Sequence, residues 1–255
     1  MPTIVWSPMM RFVGMPGAGI LVLLTFILVG CGSDPTEAEQ RNNVGVELQK
    51  AGRFQDAIAE YDAAIRLDPQ LAGAYYNRGL SYGSLGEDQR AIDDYDAAIR
   101  FNPQDPDTYF NRGLSHINLG QHQEAIEDFD RAIALKPEFA LSWVNRANSY
   151  NLLEEYGKAI QDYNEAIRLD VQIAVAYSNR GIAYFELKQF PLAIADFDAA
   201  IRLNALDTSA YAGRALTYFT LGEDTEAQQN ADRAVEMGFD PDVLGFAIQA
   251  ILGKR

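Results

Sequence analysis

The sequence predicts an all-α fold in which helical hairpins of one kind stack into a solenoid. Three observations support this prediction. A pattern recurs at a constant step of 34 residues, apolar residues within each copy lie at the spacing of amphipathic helices, and Gly or Pro stands where each helix should end. The repeated unit covers most of the chain, and the two ends of the chain differ from it.

The repeat is carried by two short strings. The first, Asn-Arg-Gly or Asn-Arg-Ala, begins 34 residues apart at Asn77, Asn111, Asn145 and Asn179. The second has the form AIDDYDAAIR and begins at Ala57, Ala91, Ala125, Ala159 and Ala193, with a weakened copy at Ala227. Together they define six units: 38–71, 72–105, 106–139, 140–173, 174–207 and 208–241.

Each unit is predicted to form two helices that pack against each other. In the unit 72–105, Gly79 and Tyr82 lie at helical spacing in the first helix, and Gly86 marks the end of that helix. The second helix ends before Pro103, because proline disfavours the helical conformation in the residue that precedes it. Since one hairpin cannot bury its apolar face alone, neighbouring units must stack.

The period and the fixed positions resemble the tetratricopeptide repeat, whose pattern is W-x₂-L-G-x₂-Y followed by A, F, A and P. The resemblance extends over all six units, 204 of 255 residues. It implies a right-handed superhelix of about six helix-turn-helix repeats, with the first helix of each repeat on the concave side. The matching residues of the second unit are Tyr75, Gly79, Tyr82, Ala91, Tyr95, Ala98 and Pro103.

Residues 1–30 have the composition of a secretory signal peptide. They contain no Asp or Glu and one basic residue, Arg11, and an apolar run extends from Ile20 to Val29. A membrane span needs about 20 apolar residues, and the run reaches that length only if the glycines and Pro16 upstream of it are tolerated. We therefore expect a cleaved signal peptide, with a retained membrane anchor as the alternative.

Cys31, the only cysteine in the chain, directly follows this segment. Residues 28–31 (Leu-Val-Gly-Cys) resemble a bacterial lipobox, in which the signal peptide is cut before the cysteine and the cysteine is acylated. The resemblance implies a lipid anchor on Cys31, with palmitate among its acyl chains, at the start of a short linker, 31–37. Two or three chains give stable anchoring where one does not. The alternative is an unmodified cysteine in an apolar segment.

The lipobox resemblance also implies a location in the bacterial cell envelope. Gly32 stands where enteric lipoproteins retained in the inner membrane carry Asp, so the expected location is the periplasmic face of the outer membrane. Without residues 1–30 the chain has 20 basic and 36 acidic residues, a net charge of −16. That charge argues against nucleic acid as a partner and against adhesion to anionic lipid head groups. The lipid is therefore the expected membrane contact.

The segment 242–255 lacks the repeat pattern and is expected to form a capping helix and a tail. Its apolar residues lie at helical spacing, so that one face can cover the exposed end of the stack. A homodimer contact through the same face is the alternative. The apolar stripe consists of Val243, Leu244, Ala247, Ile248, Ile251 and Leu252.

The sequence contains no pattern typical of an active site. The two histidines, His116 and His122, lie in one unit, and neither an HExxH motif nor a glycine-rich phosphate loop occurs. Acidic residues that recur with the repeat are typical of solvated helix surfaces. We therefore predict a non-catalytic protein with no cofactor and no metal.

Arginine recurs at the seventh position of five units, where the tetratricopeptide repeat usually has an apolar residue. In four of them an aspartate follows sixteen residues later. An ion pair between the two helices of a hairpin is the favoured interpretation, and direct contact of the arginine with a ligand is the alternative. The residues are Arg78, Arg112, Arg146, Arg180 and Arg214, with Asp94, Asp128, Asp162 and Asp196.

Asparagine occupies the sixth position of five successive units: Asn43, Asn77, Asn111, Asn145 and Asn179. A similar ladder in some long proteins of the family grips the backbone of an extended peptide, since a carboxamide offers a donor and an acceptor. We predict that these asparagines bind peptide together with Tyr76 and Phe110. The alternative is that each asparagine bonds to its own neighbouring helix. Further apolar residues expected in the groove are Leu80, Leu114, Val144, Ile182, Phe185 and Phe219.

These features predict a membrane-tethered scaffold that binds other proteins or peptides in its concave groove. Co-chaperones of the family clamp an acidic C terminus with Lys and Arg, but the equivalent positions here hold residues such as Tyr76, Val144, Gly73 and Leu141, which argues against that ligand. The alternative function is a structural subunit of a larger envelope assembly, such as a secretion, pilus or outer-membrane machinery.

Overall fold

A computed structural model of the chain describes residues 35–253, except for the side chain of Leu252. The predicted signal peptide, 1–30, lies outside the described residues, and so does the predicted lipidation site at Cys31 with the linker up to residue 34. Of the predicted C-terminal segment, residues 254 and 255 are also outside.

The described part of the chain consists of α-helices joined by short turns and contains no strand. The helices are α1 (Glu37–Lys50), α2 (Phe54–Leu67), α3 (Ala72–Ser84), α4 (Asp88–Phe101), α5 (Pro106–Asn118), α6 (His122–Leu135), α7 (Ala140–Leu152), α8 (Tyr156–Leu169), α9 (Ala174–Glu186), α10 (Phe190–Leu203), α11 (Thr208–Leu221), α12 (Asp224–Glu236) and α13 (Pro241–Leu252). Within residues 35–253, no helix has the length and apolarity needed to span a membrane.

Consecutive helices pair into six hairpins that stack in chain order. Each odd-numbered helix from α1 to α11 packs against the helix that follows it, and the second helix of each hairpin packs against the first helix of the next. First helices of neighbouring repeats also touch each other, whereas second helices within the described region make no comparable contact with their counterparts. The first helices therefore lie on the inner, concave side of the stack, and we call their exposed surface the first-helix face.

The turn between the two helices of a hairpin requires a left-handed residue. Glycine occupies this position in four repeats, with φ between +73° at Gly86 and +85° at Gly222. In repeats four and five the same position is held by Glu154 and Lys188, with φ of 61° and 57°. These two residues adopt a conformation that glycine tolerates far better.

Inside each of the first five hairpins, a small residue of the first helix lies against an aromatic ring of the second. A Cβ atom on Gly113 would stand 2.8 Å from Cε1 of Phe129, which is fully buried. The same packing recurs for Gly79 against Tyr95. Such close approach leaves no room for a larger side chain, which explains the small residue in the repeat pattern.

The C-terminal helix α13 covers the last hairpin. Leu244 is 3% exposed and packs with Ile248 and Ile251 into the apolar cluster of α11 and α12. The predicted apolar stripe is wrong at Val243, which is 57% exposed, because successive residues of a helix point about 100° apart. Phe246 is 79% exposed, so α13 has a second, outward apolar face.

Candidate functional site

The recurring arginines each join three helices. In repeat three, Arg112 donates from Nε to Oδ2 of Asp128 over 2.9 Å and from Nη2 to Oδ1 over 2.5 Å. Its Nη1 donates to Asp96, on the second helix of the preceding repeat. The equivalent sets are Arg78 with Asp94 and Asp62, Arg146 with Asp162 and Asp130, Arg180 with Asp196 and Asn164, and Arg214 with Asn230 and Asp198.

The predicted ion pair within the hairpin is therefore confirmed, and the partner in the preceding repeat was missed. Asp62, Asp96, Asp130 and Asp198 also recur at the 34-residue step, so a signal for them was present in the sequence. The two carboxylate partners raise the pKa of Arg112 above its usual range although burial opposes this, and burial raises the pKa of Asp128. Arginines held in this way connect the repeats and are not free to clamp an acidic ligand.

The asparagines of the predicted ladder make hydrogen bonds within the protein. Nδ2 of Asn77 donates to Oδ1 of Asn42 over 3.0 Å, which links α3 to α1. Nδ2 of Asn111 donates to the hydroxyl of Tyr76 over 3.1 Å and to the backbone oxygen of Asp107 over 2.8 Å. These bonds connect neighbouring first helices across the face where a ligand would lie.

The other members of the ladder differ among themselves. Nδ2 of Asn145 donates to the backbone oxygen of Leu141 in its own helix over 2.8 Å, whereas the exposed side chain of Asn43 makes no hydrogen bond within the described residues. In the described structure the carboxamide oxygens of Asn77, Asn111 and Asn145 accept no hydrogen bond. The NH2 groups of these asparagines are therefore hydrogen-bonded within the protein, whereas their carboxamide oxygens could accept hydrogen bonds from a ligand.

Cavities of one construction recur on the first-helix face, between successive first helices. Each is lined by the sixth-position residue of one repeat and by the ninth-, twelfth- and thirteenth-position residues of the repeat before it. We call them inter-repeat niches. The niche of repeats two and three holds about 260 Å³, that of repeats four and five about 370 Å³, and that of repeats five and six about 300 Å³.

The niche of repeats four and five is lined by a cluster of carboxamides. Oδ1 of Asn148 accepts from the hydroxyl of Tyr163 over 2.6 Å and from Nδ2 of Asn179 over 2.8 Å. Nδ2 of Asn151 donates to the hydroxyl of Tyr163 and to the backbone oxygen of Asn179, each over 3.1 Å. Oδ1 of Asn151 is buried and has no partner. This cluster can both donate to and accept from a peptide backbone.

Sequence reasoning missed Asn148 and Asn151. The ninth position holds an apolar residue in the neighbouring repeats, Leu114 and Ile182, so the asparagine at 148 was a visible departure from the pattern. The role of Asn148 depends on its hydrogen bond from Tyr163, a contact between the two helices of the hairpin that the sequence alone does not reveal.

Models of the repeat family match the chain over most of its length. A model described as "TPR repeat" matches residues 45–86 and 79–120, and one described as "Tetratricopeptide repeat" matches 106–139, 140–171 and 174–205. The chain belongs to the tetratricopeptide-repeat family. The sixth repeat, 208–241, lies outside these matches, in line with its weakened pattern.

Solved structures with the same fold include three tetratricopeptide-repeat (TPR) proteins. MamA has 23% sequence identity and a TM-score of 0.63, and the match covers 66% of this chain and 92% of the MamA chain. YrrB, described as a TPR protein with an unusual peptide-binding site, also has 23% identity and a TM-score of 0.63, with 68% of this chain and 89% of the YrrB chain covered. PilF of Pseudomonas aeruginosa has 13% identity and a TM-score of 0.69, with 86% of this chain and 98% of the PilF chain covered. A comparison with curated protein sequences gave no match.

TPR proteins mediate protein–protein interactions, and their repeats form extended concave binding surfaces. Two aromatic residues predicted for this surface, Tyr76 and Phe110, are partly buried. The Tyr76 ring lies 6.1 Å from that of Tyr95, and burial together with the nearby carboxylates of Asp107 and Asp105 raises its pKa to about 12. Tyr76 therefore remains a neutral hydroxyl beside Asn111.

Phe110 packs between two other rings, with centroids 4.7 Å from Phe139 and 5.8 Å from Phe129. Two further residues expected in the groove are instead in the core. Val144 is 3% exposed and Phe219 7% exposed, so their assignment to the TPR groove was wrong. Val144 packs into the cluster around Tyr163, and Phe219 packs beneath α12 and α13.

Charge on this face is scarce and negative. From α3 to α11, the positions that line the niches (second, fifth, sixth, ninth, twelfth and thirteenth of each repeat) include Asp107 and Glu186 but no Lys or Arg. The face thus offers carboxamides, apolar side chains and a few carboxylates. Such a surface suits a neutral or cationic protein segment.

Proposed function

We propose that this TPR protein is a non-catalytic scaffold, tethered to the bacterial cell envelope through lipid on Cys31, that binds protein or peptide partners on its first-helix face. The expected location is the periplasmic face of the outer membrane. The observation that carries the binding proposal is the series of niches between first helices, which combine free carboxamide oxygens with apolar side chains.

The chemistry of the niches supports recognition of a polypeptide backbone. A carboxamide pairs with a peptide group as donor and acceptor, whatever the side chains of the ligand are. The 34-residue step repeats this contact along the stack, so an extended segment can be held at several points. Binding of this kind is tolerant of sequence, as a scaffold for more than one partner requires.

His116 and the recurring aspartates make contacts within the fold. Nδ1 of His116 lies 2.6 Å from Oε1 of Gln121, and the recurring aspartates face arginine. Within the described residues, no group of His, Cys, Asp and Glu is arranged to hold a metal ion. The proposed binding uses neither a cofactor nor a metal.

The proposed anchor limits how far the start of the solenoid can lie from the membrane. Helix α1 begins at Glu37, where Thr36 and Glu39 form a capping box. From Cys31 to Glu37 an extended chain spans at most about 20 Å, at roughly 3.3 Å per residue. The first repeat is thereby held within that distance of the lipid anchor.

The test is an affinity pull-down from detergent-solubilised envelopes, with mass spectrometry of the retained proteins. The wild-type lipoprotein is compared with a variant in which Asn77, Asn111, Asn145 and Asn179 are replaced by Ala. A matched control replaces exposed glutamines of second helices, Gln123, Gln161 and Gln229, by Ala. Circular dichroism of all three must be equal. We expect partners to be lost from the asparagine variant alone, and equal retention by all three would refute binding through the ladder.

A second candidate function is a structural subunit of a larger envelope assembly. The exposed Val243 and Phe246 on α13 favour it, because they form an outward apolar face at the end of the stack. A variant with Val243 and Phe246 replaced by Ser, compared with the asparagine variant in the same pull-down, distinguishes the two functions. Loss of a stoichiometric complex would favour the subunit, and loss of groove partners with the asparagine variant would favour the scaffold.

A further inference from the structure

The niche of repeats five and six differs from the others in chemistry. Its sixth-position residue is Gly213, where five earlier repeats have asparagine, and its twelfth-position residue is Phe185. A Cβ on Gly213 would lie 2.5 Å from Cζ of Phe197, so the ring of Phe197 takes the place that a side chain would need. The missing carboxamide leaves an apolar cavity, closed on one side by Phe239 from the turn before α13.

The size of this cavity matches a large side chain. It holds about 300 Å³, and a buried apolar cavity of about 150 Å³ is enough to bind benzene. The ring of a phenylalanine or a tryptophan, or the side chain of a leucine, can therefore enter it. Its lining of Phe185, Leu216 and Phe239 offers dispersion contacts and no hydrogen bond.

An uncompensated carboxylate stands at the mouth of the cavity. Glu186 is exposed, lines both this niche and the niche of repeats four and five, and makes no ion pair or hydrogen bond within the described structure. Lys188, two residues further on, is not paired with it. Because the niche-lining positions from α3 to α11 carry no Lys or Arg, a cation on a ligand is the natural partner of Glu186.

The niche of repeats four and five adds polar groups next to the apolar cavity and Glu186. It shares Ile182 and Glu186 with the apolar cavity and contains the carboxamide cluster of Asn148, Asn151 and Asn179. The unpartnered Oδ1 of Asn151 is buried in the wall of this niche, so it can accept from a backbone N–H of a ligand once the Asn151 side chain rotates toward the cavity. An acceptor cluster, a carboxylate and an apolar cavity thus follow one another along the first-helix face.

We infer that the niche of repeats five and six is the main anchor pocket for partners. Its occupant is a segment of another protein with an aromatic or large aliphatic side chain next to Lys or Arg. The apolar side chain fills the cavity, the cation pairs with Glu186, and the main chain crosses the carboxamide cluster. This inference rests on the proposed function, since it specifies which segment the first-helix face selects.

A selection from a random peptide library tests the specificity, with the full-length protein in detergent as the target. We expect the enriched peptides to combine a large apolar residue with an adjacent Lys or Arg. Affinities of three synthetic peptides are then measured by fluorescence anisotropy: one with a central Lys-Phe-Lys, one with Ser in place of Phe, and one with Glu in place of both Lys. We expect the first to bind at least roughly tenfold more tightly than the others, as for loss of one buried anchor.

Variants at exposed positions locate the pocket without disturbing the core. Ser209→Phe fills the cavity from its rim, and Glu186→Lys reverses the charge at its mouth. Each should weaken binding of the Lys-Phe-Lys peptide by roughly tenfold or more, as expected for a central contact. Glu127→Lys, an equal charge change at an exposed position of the second helix α6, should leave affinity unchanged.

Results that contradict the anchor pocket differ from results that contradict the proposed function. Unchanged affinity in Ser209→Phe and Glu186→Lys, with binding lost in the four-asparagine variant, overturns the anchor pocket and leaves the proposed function standing. Enrichment of acidic or wholly polar peptides overturns the inferred partner chemistry. Dimers of the wild type that Ser209→Phe converts to monomers would make a second copy the occupant and overturn it too. Failure of the pull-down to retain any partner counts against the proposed function itself.

Discussion

The arginine at the seventh position shows how one residue type can hold a repeat protein together. Each guanidinium binds a side-chain oxygen inside its own hairpin, a carboxylate in four repeats and the carboxamide of Asn230 in the sixth, and another side-chain oxygen in the hairpin before. Arg146 also lies over the ring of Trp143, with Cζ 4.8 Å from the ring centre. Ion pairs of this kind gain from attraction and lose from desolvation, so their contribution is best seen when one partner is removed.

We predict that Arg112→Ala destabilises the protein by roughly 3–5 kcal/mol, because Asp128, 4% exposed, is left as a buried charge without its guanidinium. The double variant Arg112→Met with Asp128→Leu should be markedly less destabilised, since no buried charge remains. Urea unfolding measures both. Arg66→Ala, at an exposed arginine of α2, is the control and should change stability little. A double variant as unstable as Arg112→Ala would contradict this account.

Two turns carry strain that substitution can remove. Glu154 and Lys188 adopt φ of 61° and 57° where other repeats have glycine. We predict that Glu154→Gly and Lys188→Gly each stabilise the protein by about 1 kcal/mol, because left-handed backbone costs other residues more. Thermal unfolding measures the change. Gly120→Ala, at φ +74°, is the reverse substitution and should lower the melting temperature; a rise would show that these turns are not strained.

In the first five hairpins, the contact between a small residue and an aromatic ring holds the two helices in register, whereas the sixth has Ala231 in place of the ring. Gly113→Leu should destabilise by roughly 1–3 kcal/mol through overpacking against Phe129. Gly157→Leu, at a helical glycine with open space around it, is the control and should cost far less. Equal melting temperatures for Gly113→Leu and the wild type would mean that the hairpin is packed differently.

Much of the fold at the level of helices could be predicted from the sequence, since a 34-residue period, the glycines and the prolines fix where helices begin and end. α2, for example, ends at Leu67, just before Asp68 and Pro69. Burial on the first-helix face was predicted less well. Val144 and Phe219 have the spacing of groove residues, but whether such a residue is open or covered depends on neighbours from the next repeat.

The niches were hard to predict because each is lined by residues of two repeats. The polarity of a niche changes with single residues such as Gly213 or Asn148, which differ from the residues that the repeats share. The repeat pattern indicates where a cavity lies, and the departures from the pattern decide what fits in it. Pairwise packing of helices has to be known before those departures can be interpreted.

Helix α13 should act as the closing element of the stack. Leu244→Ala is expected to destabilise by roughly 2–5 kcal/mol, since Leu244 is buried against α11 and α12. In a solenoid each repeat contacts its neighbours alone, so hydrogen exchange should speed up in α11 and α12 and stay unchanged in α3 and α4. Val243→Ala, one residue away and 57% exposed, is the matched control and should leave exchange unaltered. Uniform acceleration along the chain would contradict local capping.

At the scale of the whole molecule, the proposed lipid anchor is on Cys31, which lies outside the described residues. The strong negative charge of the chain disfavours adhesion to anionic lipids, so we expect membrane attachment to depend on the proposed acylation of Cys31. We predict that Cys31→Ser moves the protein from the membrane to the soluble fraction, while Ser33→Ala leaves it in the membrane. Mass spectrometry of the wild type should find a chain that begins at residue 31 and carries acyl groups. A Cys31→Ser chain that has lost residues 1–30 and still sediments with membranes would refute the lipid anchor, and one that keeps them would show that the apolar run is itself the anchor.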